Sequence, residues 1–360
     1  MNYRTFVGLD VHKMSIAAYA HVPAAEKGTH KGFGHDVAAL AEWINSLEGP
    51  TKVVYESGFS GFSLKRELEA LGIECVICAV SKCVKPVGMK VKTDKRDSEF
   101  LAKQLAAGAL VEVAMPEIEI EGMRDISRMR EMLRDQLTAA KHRVSQMVLR
   151  YGFRFRSEEK NWSAPHRRWL SSLEMPTPHA QSVFDFSLQE VERLEEEKAR
   201  VERAIRKICE QEPLKTAVEV LCLIKGVSVI TAFCVLVEIG DFLRFKCARA
   251  FSAYLGLTPS EDSSGPNTSR GGVTKTGNTH VRKTLVEASW AQNRVKNPYV
   301  KMPDTIDTEI ARTARRINGR LMKRRKHLKE VQKKKACVAN TAIAREMAAS
   351  IWVLMNLVMA

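Results

Sequence analysis

Four acidic side chains stand in surroundings that suit metal-ion chemistry, and they are Asp10, Glu56, Asp94 and Asp97. Asp10 and Glu56 each end a short run of apolar or β-branched residues, which predicts a buried strand with a carboxylate at its tip. Asp94 and Asp97 are three residues apart at the start of a helical pattern, so both side chains can lie on one face. Any one of these acids alone is typical of a turn or a cap. Together they predict an oxygen-lined site for two Mg²⁺ ions, because clustered carboxylates need a cation to neutralise them. Two metal ions in such a site can stabilise both the attacking and the departing oxygen when a phosphodiester is cleaved.

The charge balance of the 360-residue chain indicates a polyanionic partner. Lys and Arg total 57 against 42 Asp and Glu, a formal net charge of +15, and this excess favours nucleic acid over a membrane surface. No apolar run reaches transmembrane length, and the N-terminus lacks the pattern of a signal peptide. The eight cysteines have the pattern of reduced core residues. We therefore expect a cytoplasmic, nucleoid-associated protein that binds no membrane.

Residues 1–112 are expected to form an α/β domain. The predicted elements are strands at Tyr3–Leu9, Met14–His21 and Thr29–Gly34, a helix at Val37–Leu47, a strand at Lys52–Tyr55, a helix at Ser63–Leu71, a strand at Ile73–Val80 and a helix that carries Asp94 and Asp97. This order is that of the ribonuclease H-like (resolvase-like) mixed-sheet fold, which holds metal on carboxylates from its first strand, a central strand and a late helix. The four acids fall at those three places.

Residues 113–215 have the pattern of a long helical coiled-coil spacer. Apolar residues recur there in alternating three- and four-residue steps. The two predicted seams are Ile126, Met129, Leu133, Ala140, Val144 and Met147, and Val191, Leu194, Val201, Ile205 and Ile208. An irregular loop is expected between them, at Tyr151–His179. Two such helices form either a dimerisation arm or a hairpin within one chain, because both arrangements bury the same stripe.

Residues 216–300 are expected to form a mostly helical domain. Helical patterns at Val218–Ile224 and Val229–Ile239 flank a short turn, as in a helix–hairpin–helix unit whose turn offers N–H groups to a phosphate. The following segment, Thr258–Val273, is so polar and glycine-rich that we expect a loop that meets a ligand.

The C-terminal part of the chain is strongly basic, and residues 301–360 are expected to form a basic helical tail. Between Ala311 and Lys335 there are twelve Lys or Arg residues and one acid, a pattern that favours phosphate binding. The residues predicted to contact nucleic acid are Arg270, Lys275, Arg282, Arg324 and Arg325. The apolar stretch Ala336–Met359 contains Arg345 and Glu346, so it is interpreted as a packing helix.

Two sets of motifs resemble those of the insertion-sequence-110 family of transposases. The first set is Gly8-Leu-Asp-Val-His-Lys13, Tyr55-Glu-Ser-Gly58 and Lys92-Thr-Asp-Lys-Arg-Asp-Ser98. The second set is Ala253-Tyr-Leu-Gly-Leu-Thr-Pro-Ser260, Ser263-Ser-Gly265, Arg270-Gly-Gly-Val-Thr-Lys275 and Gly277-Asn278. The resemblance covers residues 3–110 and 217–296, with a helical spacer between them.

The resemblance implies a DNA transposase or recombinase that is guided by a noncoding RNA encoded in its own insertion sequence. Members of this family hold Mg²⁺ on the acidic tetrad and use a C-terminal serine that becomes covalently joined to DNA. By its position after Leu257-Thr-Pro259 and directly before Gly265, that serine is Ser264, with Ser263 as the close contender. The expected partners are DNA of the element ends and the target, the guide RNA, and a second copy in a homodimer that pairs to a tetramer on DNA.

An alternative function is a metal-dependent, structure-specific DNA nuclease of the Holliday-junction-resolvase type, with water as the nucleophile. That function accounts for residues 1–110 but leaves the Ser264 loop without a role. A nonenzymatic nucleic-acid scaffold would account for the net charge alone. A sugar-kinase or actin-like enzyme would need a glycine-rich phosphate turn after Asp10, and a serine hydrolase would need the G-x-S-x-G spacing. Neither pattern is present.

Overall fold

The computed structural model describes residues 3–25, 28–79, 93–156, 158–264, 267–295, 297, 299, 300, 303 and 306–359. At residues 262–264, 267, 268 and 270 it describes the backbone alone. The chain divides into two compact units, residues 1–116 and 117–360, called here the N-terminal and C-terminal units. Lys92, the first residue of one of the acidic motifs, lies outside the described residues.

The N-terminal unit is built around one mixed sheet. Its elements in chain order are β1 (Thr5–Val11), β2 (Ser15–His21), β3 (Thr29–Gly34), α1 (Val37–Asn45), β4 (Thr51–Glu56), α2 (Ser63–Ala70), β5 (Cys75–Cys78) and α3 (Asp94–Ala106). The strands lie in the order β3-β2-β1-β4-β5. The first three strands pair antiparallel, whereas β1, β4 and β5 pair in parallel. This arrangement is consistent with the expected ribonuclease H-like α/β fold.

Both faces of this sheet are covered, because its strands carry apolar side chains on each side. On one face Leu9 and Tyr55 pack with residues of α1 and α2 such as Leu40 and Leu68. On the other face Val54 and its neighbours pack with Leu101 of α3. The strand predicted at Ile73–Val80 is shorter than expected, and the Ile73 N–H instead donates to the Leu68 carbonyl at 2.9 Å, which closes the turn after α2. Val80 lies outside the described residues.

The C-terminal unit is mostly helical. Its elements are α4 (Ile118–Arg150), α5 (Ala164–Ser171), α6 (Pro178–Cys209), α7 (Leu214–Cys222), α8 (Val229–Ile239), α9 (Ala248–Tyr254), β6 (Pro259–Ser264), β7 (Asn267–Val273), α10 (Thr279–Ala291), α11 (Thr308–Lys326) and α12 (Ala336–Met359). A 3₁₀ turn follows α10 and a π-helical turn follows α11. The main core gathers side chains from α6 to α12.

The two long helices α4 and α6 pack against each other within the chain. Leu133, Val144 and Met147 of α4 share a buried cluster with Val191 and Leu194 of α6, so much of the apolar stripe is buried inside one subunit. Met129 was wrongly assigned to the seam, because it is 47% exposed. The α-helical repeat of 3.6 residues instead brings Leu137 into the cluster, one turn after Leu133.

The segment between the long helices is not irregular throughout, as the sequence had led us to expect. It contains the two-turn helix α5, which has Pro165 in its first turn, where a missing N–H costs nothing. His166 and Leu170 are four residues apart and both are buried, so this short helix has one apolar face. The Ser163-Ala-Pro165 start signal could have revealed it.

The helix–turn–helix of α7 and α8 is present, but its turn is occupied from within the unit. The Lys225 N–H donates to Oδ1 of Asn318 at 2.9 Å, and the Lys225 carbonyl accepts from the Gln292 side chain. The Lys225 amide is therefore bound to a protein group and not free for a phosphate. Apolar helix α12, the one described helix that is long and apolar enough to cross a membrane, places Ile343, Met347 and Ile351 in the core.

Candidate metal centre and serine hairpin

The tips of two neighbouring parallel strands carry the first two acids. Strand β1 runs alongside β4 with Leu9 paired to Tyr55, so Asp10 and Glu56 occupy the next position on each strand. Residues on paired positions of parallel strands point to the same face. This face is the one that carries Val54, against which α3 packs. The sheet therefore directs both carboxylates toward the side covered by α3.

Helix α3 reaches this edge because Gly8 has no side chain. A Cβ at position 8 would overlap the Ser98 carbonyl oxygen and lie 2.6 Å from the Ala102 nitrogen. The helix backbone thus rests directly on β1, as glycine permits at points of close approach. Asp94 and Asp97 both lie in the first turn of α3, where the helix dipole favours negative charge.

Asp10 and Asp94 meet around a histidine that the sequence motifs had not marked as part of the site. The His12 Nε2 lies 3.4 Å from a carboxylate oxygen of Asp10 and 3.4 Å from one of Asp94. In the described part of the chain, Asp10, His12 and Asp94 form the group of potential metal ligands whose ligand atoms all lie within 4.8 Å of one another. The signal in the sequence was the i, i+2 spacing after Asp10, which keeps His12 on the same side of the strand tip.

The electrostatics of Asp10 indicate an unneutralised cluster. Burial raises the pKa of the Asp10 carboxyl above its ordinary value. The carboxylates of Asp94 and Asp97 raise this pKa further, and the attraction of His12 opposes them. Asp97 is therefore close enough to repel Asp10, although it is outside the ligand-distance group, as is Glu56.

This set of residues fits a divalent cation. Carboxylate oxygens are the ligands that Mg²⁺ prefers, and Mg²⁺ sites usually use one or two carboxylates together with water or substrate oxygens. A cation beside Asp10 and Asp94 would remove the repulsion that raises the Asp10 pKa. Glu56, at the adjacent strand position, and Asp97, one turn along α3, remain predicted ligands at the rim of the same edge.

The polar segment that was expected to be a loop is a two-stranded ribbon. Strands β6 and β7 pair antiparallel, with Ser263 opposite Thr268 and Ser264 opposite Asn267. The expectation of a loop was wrong because backbone hydrogen bonds between two strands need no apolar core to form a ladder. Ser264 is the last residue of β6, so the predicted nucleophile stands at one end of the ribbon. Its hydroxyl is not among the described atoms.

The base of this ribbon is held tightly against the end of α9. The Lys275 N–H donates to the Gly256 carbonyl at 3.1 Å, and the Asn278 N–H donates to the Tyr254 carbonyl at 3.2 Å. Gly277 has a φ of +79° and no room for a Cβ, which would overlap the Tyr254 carbonyl oxygen. Only glycine satisfies both conditions at this position.

A buried ion pair ties the same segment to two helices. Glu238 of α8 is 1% exposed and accepts from Arg128 of α4 at 2.7 and 3.1 Å. Its second oxygen also accepts from the Asn278 side chain at 2.9 Å. Burial alone would raise the pKa of Glu238, but the bonds from Arg128 and Asn278 bring that pKa below its ordinary value. Nothing in the local sequence pattern of α8 had marked this acid as buried.

The predicted nucleic-acid contacts differ in how free they are. Lys275 is exposed beside the ribbon, and Arg324 is half-exposed on α11. Arg282 donates to the carbonyls of Leu255 and Thr276 at 3.0 and 3.1 Å, so it helps to clamp the base of the ribbon. Arg325 donates to Ser289 and Asn340, which joins α11 to α10 and α12. The side chain of Arg270 is not described.

Two family models match separate segments of the chain. Residues 7–153 match the DEDD transposase model of the IS110 group, and residues 218–302 match the family described as "Transposase IS116/IS110/IS902 family". The putative transposase y4qE of Sinorhizobium fredii is 31% identical over 98% of this chain and 88% of its own length. The transposase for insertion sequence element IS1533 of Leptospira borgpetersenii is 30% identical over 69% of this chain and 73% of its own. The chain belongs to the IS110 family of transposases.

Membership of the IS110 family implies DNA strand cleavage and rejoining, binding to DNA, and use of a divalent metal. The DEDD match contains β1, β4 and the start of α3, the three elements that bring Asp10, Glu56 and the Asp94/Asp97 pair to one sheet edge. The second match contains α8, the ribbon and α10. In this IS110-family transposase, residues 154–217 lie outside both matches.

Proposed function

We propose that this transposase cuts and rejoins DNA with Mg²⁺ held by Asp10, Glu56, Asp94 and Asp97, and with Ser264 as the nucleophile. The convergence of Asp10 and Asp94 on one sheet edge, within a region that matches a DEDD transposase family, is the observation that carries this proposal. The raised pKa of Asp10 supports it, because such a cluster gains most from a bound cation.

In this mechanism the Ser264 oxygen attacks the scissile phosphorus, and the bond from phosphorus to the 3′ oxygen breaks. The resulting phosphoserine ester conserves the bond energy for rejoining, so no ATP is needed. When bound, Mg²⁺ supplies the positive charge that activates the serine and stabilises the departing oxygen. Lys275 and Arg270 are proposed to neutralise the attacked phosphate, whose charge rises in the transition state.

The proposed phosphate contacts are Arg270, Lys275, Arg282, Arg324 and Arg325. Arg282 and Arg325 already donate within the C-terminal unit, and each would use its remaining N–H groups. Truncating either should therefore lower stability as well as nucleic-acid binding. Truncating Lys275, which is exposed, should lower binding alone.

We propose two further partners. One is a noncoding guide RNA encoded in the insertion sequence, which would pair with both donor and target DNA. The other is a second copy of the chain, in a homodimer that assembles to a tetramer on DNA, since recombination needs at least two cleaving centres. Sequencing RNA that co-purifies from the native host tests the first partner. Light scattering with and without DNA tests the second, and a monomer in both conditions would rule it out.

The nucleophile is tested by trapping the reaction on a nicked suicide substrate. We expect a covalent protein–DNA adduct that maps by mass spectrometry to Ser264. Ser264→Ala should remove the adduct and cleavage while DNA binding persists, and the neighbouring Ser263→Ala is the matched control that should retain both. Adduct formation by Ser264→Ala but not by Ser263→Ala would assign the role to Ser263. Cleavage without any adduct would instead favour the resolvase-like nuclease that uses water.

A further inference from the structure

The end of the α4–α6 hairpin that carries α5 has an unusual charge distribution. Between residues 141 and 169 there are eight Lys or Arg residues and two Glu residues. Six of the basic side chains are exposed, and the five from residue 150 onward form what we call the basic tip: Arg150, Arg154, Arg156, Lys160 and Arg168. The basic tip begins at the last residue of α4 and continues through the linker into α5.

These cations have no carboxylate partner among the described residues, whereas several cations elsewhere on α4 and α6 do. Arg193 of α6 is bound to Glu190 at 3.0 Å and to Glu197 at 2.6 Å, and Arg130 of α4 is bound to Glu202 at 2.8 Å. By contrast, within the described ranges no carboxylate lies within ion-pair distance of any of the five residues of the basic tip. Its positive charge is therefore available to a ligand.

The backbone beneath the basic tip is held in place by aromatic packing. Phe153 and Phe155 are half-buried, whereas Arg154 and Arg156 between and after them are exposed, the alternation of an extended segment with one side inward. The Phe155 ring lies 4.9 Å from the ring of buried His166 and 5.2 Å from that of Trp169. His166 also accepts the Trp162 N–H at 3.1 Å. A fixed base lowers the entropy cost of presenting these cations to a partner.

We propose that the basic tip binds the phosphate backbone of duplex DNA, as a surface separate from the residues that cut. Four of its five cations are arginines, whose planar guanidinium groups bind phosphate oxygens in pairs. DNA is the polyanion that the IS110 family acts on, and the charge of the tip matches it. Residues 154–168 lie outside both family matches, so the family comparison assigns them no role. The proposal does not depend on which residue is the nucleophile.

The test measures binding of the full-length protein to a fluorescent DNA duplex and to a structured RNA of equal length, across a series of salt concentrations. A neutralised variant carries glutamine at all five positions of the basic tip. We expect its affinity for DNA to fall by roughly tenfold or more at moderate salt, and its log–log salt slope to fall by about 0.9 for each phosphate that the tip no longer neutralises. Binding is read without cleavage, so failure here is distinguishable from failure of the tetrad or the serine.

Two matched variants make this test specific. The first removes the same charge from other exposed positions of the C-terminal unit by glutamine substitution at Arg200, Arg203, Arg206, Lys207 and Lys215, and it should keep most of the salt slope. The second replaces the four arginines of the basic tip by lysine and should keep the slope because it keeps the charge. Three results would overturn the proposal. The first variant could lose as much affinity for DNA as the neutralised variant, or the lysine variant could do so. The third such result is a loss of affinity in the neutralised variant that is confined to RNA.

Discussion

Asp10 in the N-terminal unit is a half-buried carboxylate and Glu238 in the C-terminal unit is a buried one, and their surroundings shift their pKa values in opposite directions. The pKa of Asp10 is raised, since it is desolvated and faces Asp94 and Asp97 with only His12 to offset them. The pKa of Glu238 is lowered in spite of its burial, because Arg128 and Asn278 bond to it. One acid is left without a full counter-charge, and the other has its counter-charge within the fold.

This difference separates a functional acid from a structural one. A buried carboxylate that has an internal cation partner holds elements together, and removing the partner leaves an uncompensated charge. A cluster of carboxylates without such a partner lowers stability unless an external cation binds, and such strained electrostatics concentrate at functional sites. We therefore expect mutations of the two acids to affect different quantities.

The largest effect should follow Asp10→Asn. Strand cleavage should fall roughly a thousandfold or more, the scale seen when one member of a catalytic unit is removed. The folded protein should persist, and its melting temperature should no longer rise on addition of Mg²⁺, because a ligand stabilises only the state that binds it. Cleavage assays and thermal melts with and without Mg²⁺ measure both effects. Normal cleavage by a folded Asp10→Asn variant would contradict the metal centre.

The Glu238 pair should affect stability, with a marked asymmetry between its partners. Arg128→Ala leaves a carboxylate that is 1% exposed without its cation, and it should cost about 3 to 5 kcal/mol of unfolding free energy. Glu238→Gln leaves Arg128, which is 47% exposed and can be hydrated, so it should cost only about 1 to 3 kcal/mol. Urea denaturation measures both values. Equal losses would mean that burial of Glu238 does not control the energetics.

Gly8→Ala should lower both the stability of the protein and its stabilisation by Mg²⁺. The new Cβ would meet the backbone of Ser98 and Ala102, and overpacking of this kind costs about 1 to 3 kcal/mol. Because α3 carries Asp94, its displacement should also weaken the Mg²⁺-induced stabilisation. Ala18→Gly, a small change on neighbouring β2, is the control for loss of strand stability alone. A variant that is destabilised yet binds Mg²⁺ normally would separate α3 from the site.

The smallest effects should appear in the pH dependence of stability without metal. A raised pKa means that the folded state binds a proton more readily, so the Asp10 contribution should lower stability as pH rises above the ordinary range of an aspartate. A lowered pKa means the reverse, so the Glu238 contribution is present at neutral pH and is lost as pH falls below the ordinary range of a glutamate. Melts of Asp10→Asn and Glu238→Gln across pH should each remove one of these opposite slopes.

The sequence was sufficient to predict the N-terminal unit because its signals are local. Strand and helix patterns, with a carboxylate at the end of each of two strands, predicted β1, β4 and the start of α3 to within a few residues. The resemblance to the transposase family was likewise carried by short motifs. Parallel pairing then brings such strand ends together without further information.

The C-terminal unit was harder to predict because its main features depend on contacts between distant residues. The ribbon of β6 and β7 has no apolar alternation, so its polar residues indicated a loop. The Glu238–Arg128 pair joins residues on two helices that are far apart in sequence. His12 was missed for a different reason: its i, i+2 spacing from Asp10 indicates a metal ligand only once Asp94 is known to lie beside it.

The anchoring of the ribbon at Gly256, Gly277 and Asn278 also limits how it can move. A hairpin that hinges at its base needs backbone dihedrals that can change freely, but here the base is fixed by main-chain bonds to Tyr254 and Gly256 and by the absence of space at Gly277. We therefore expect the ribbon to move little about its base. Any displacement of the free end of the ribbon toward DNA must come from twisting of β6 and β7 or from movement of the whole C-terminal unit. In the second case, the motion of the C-terminal unit would set the rate of that step.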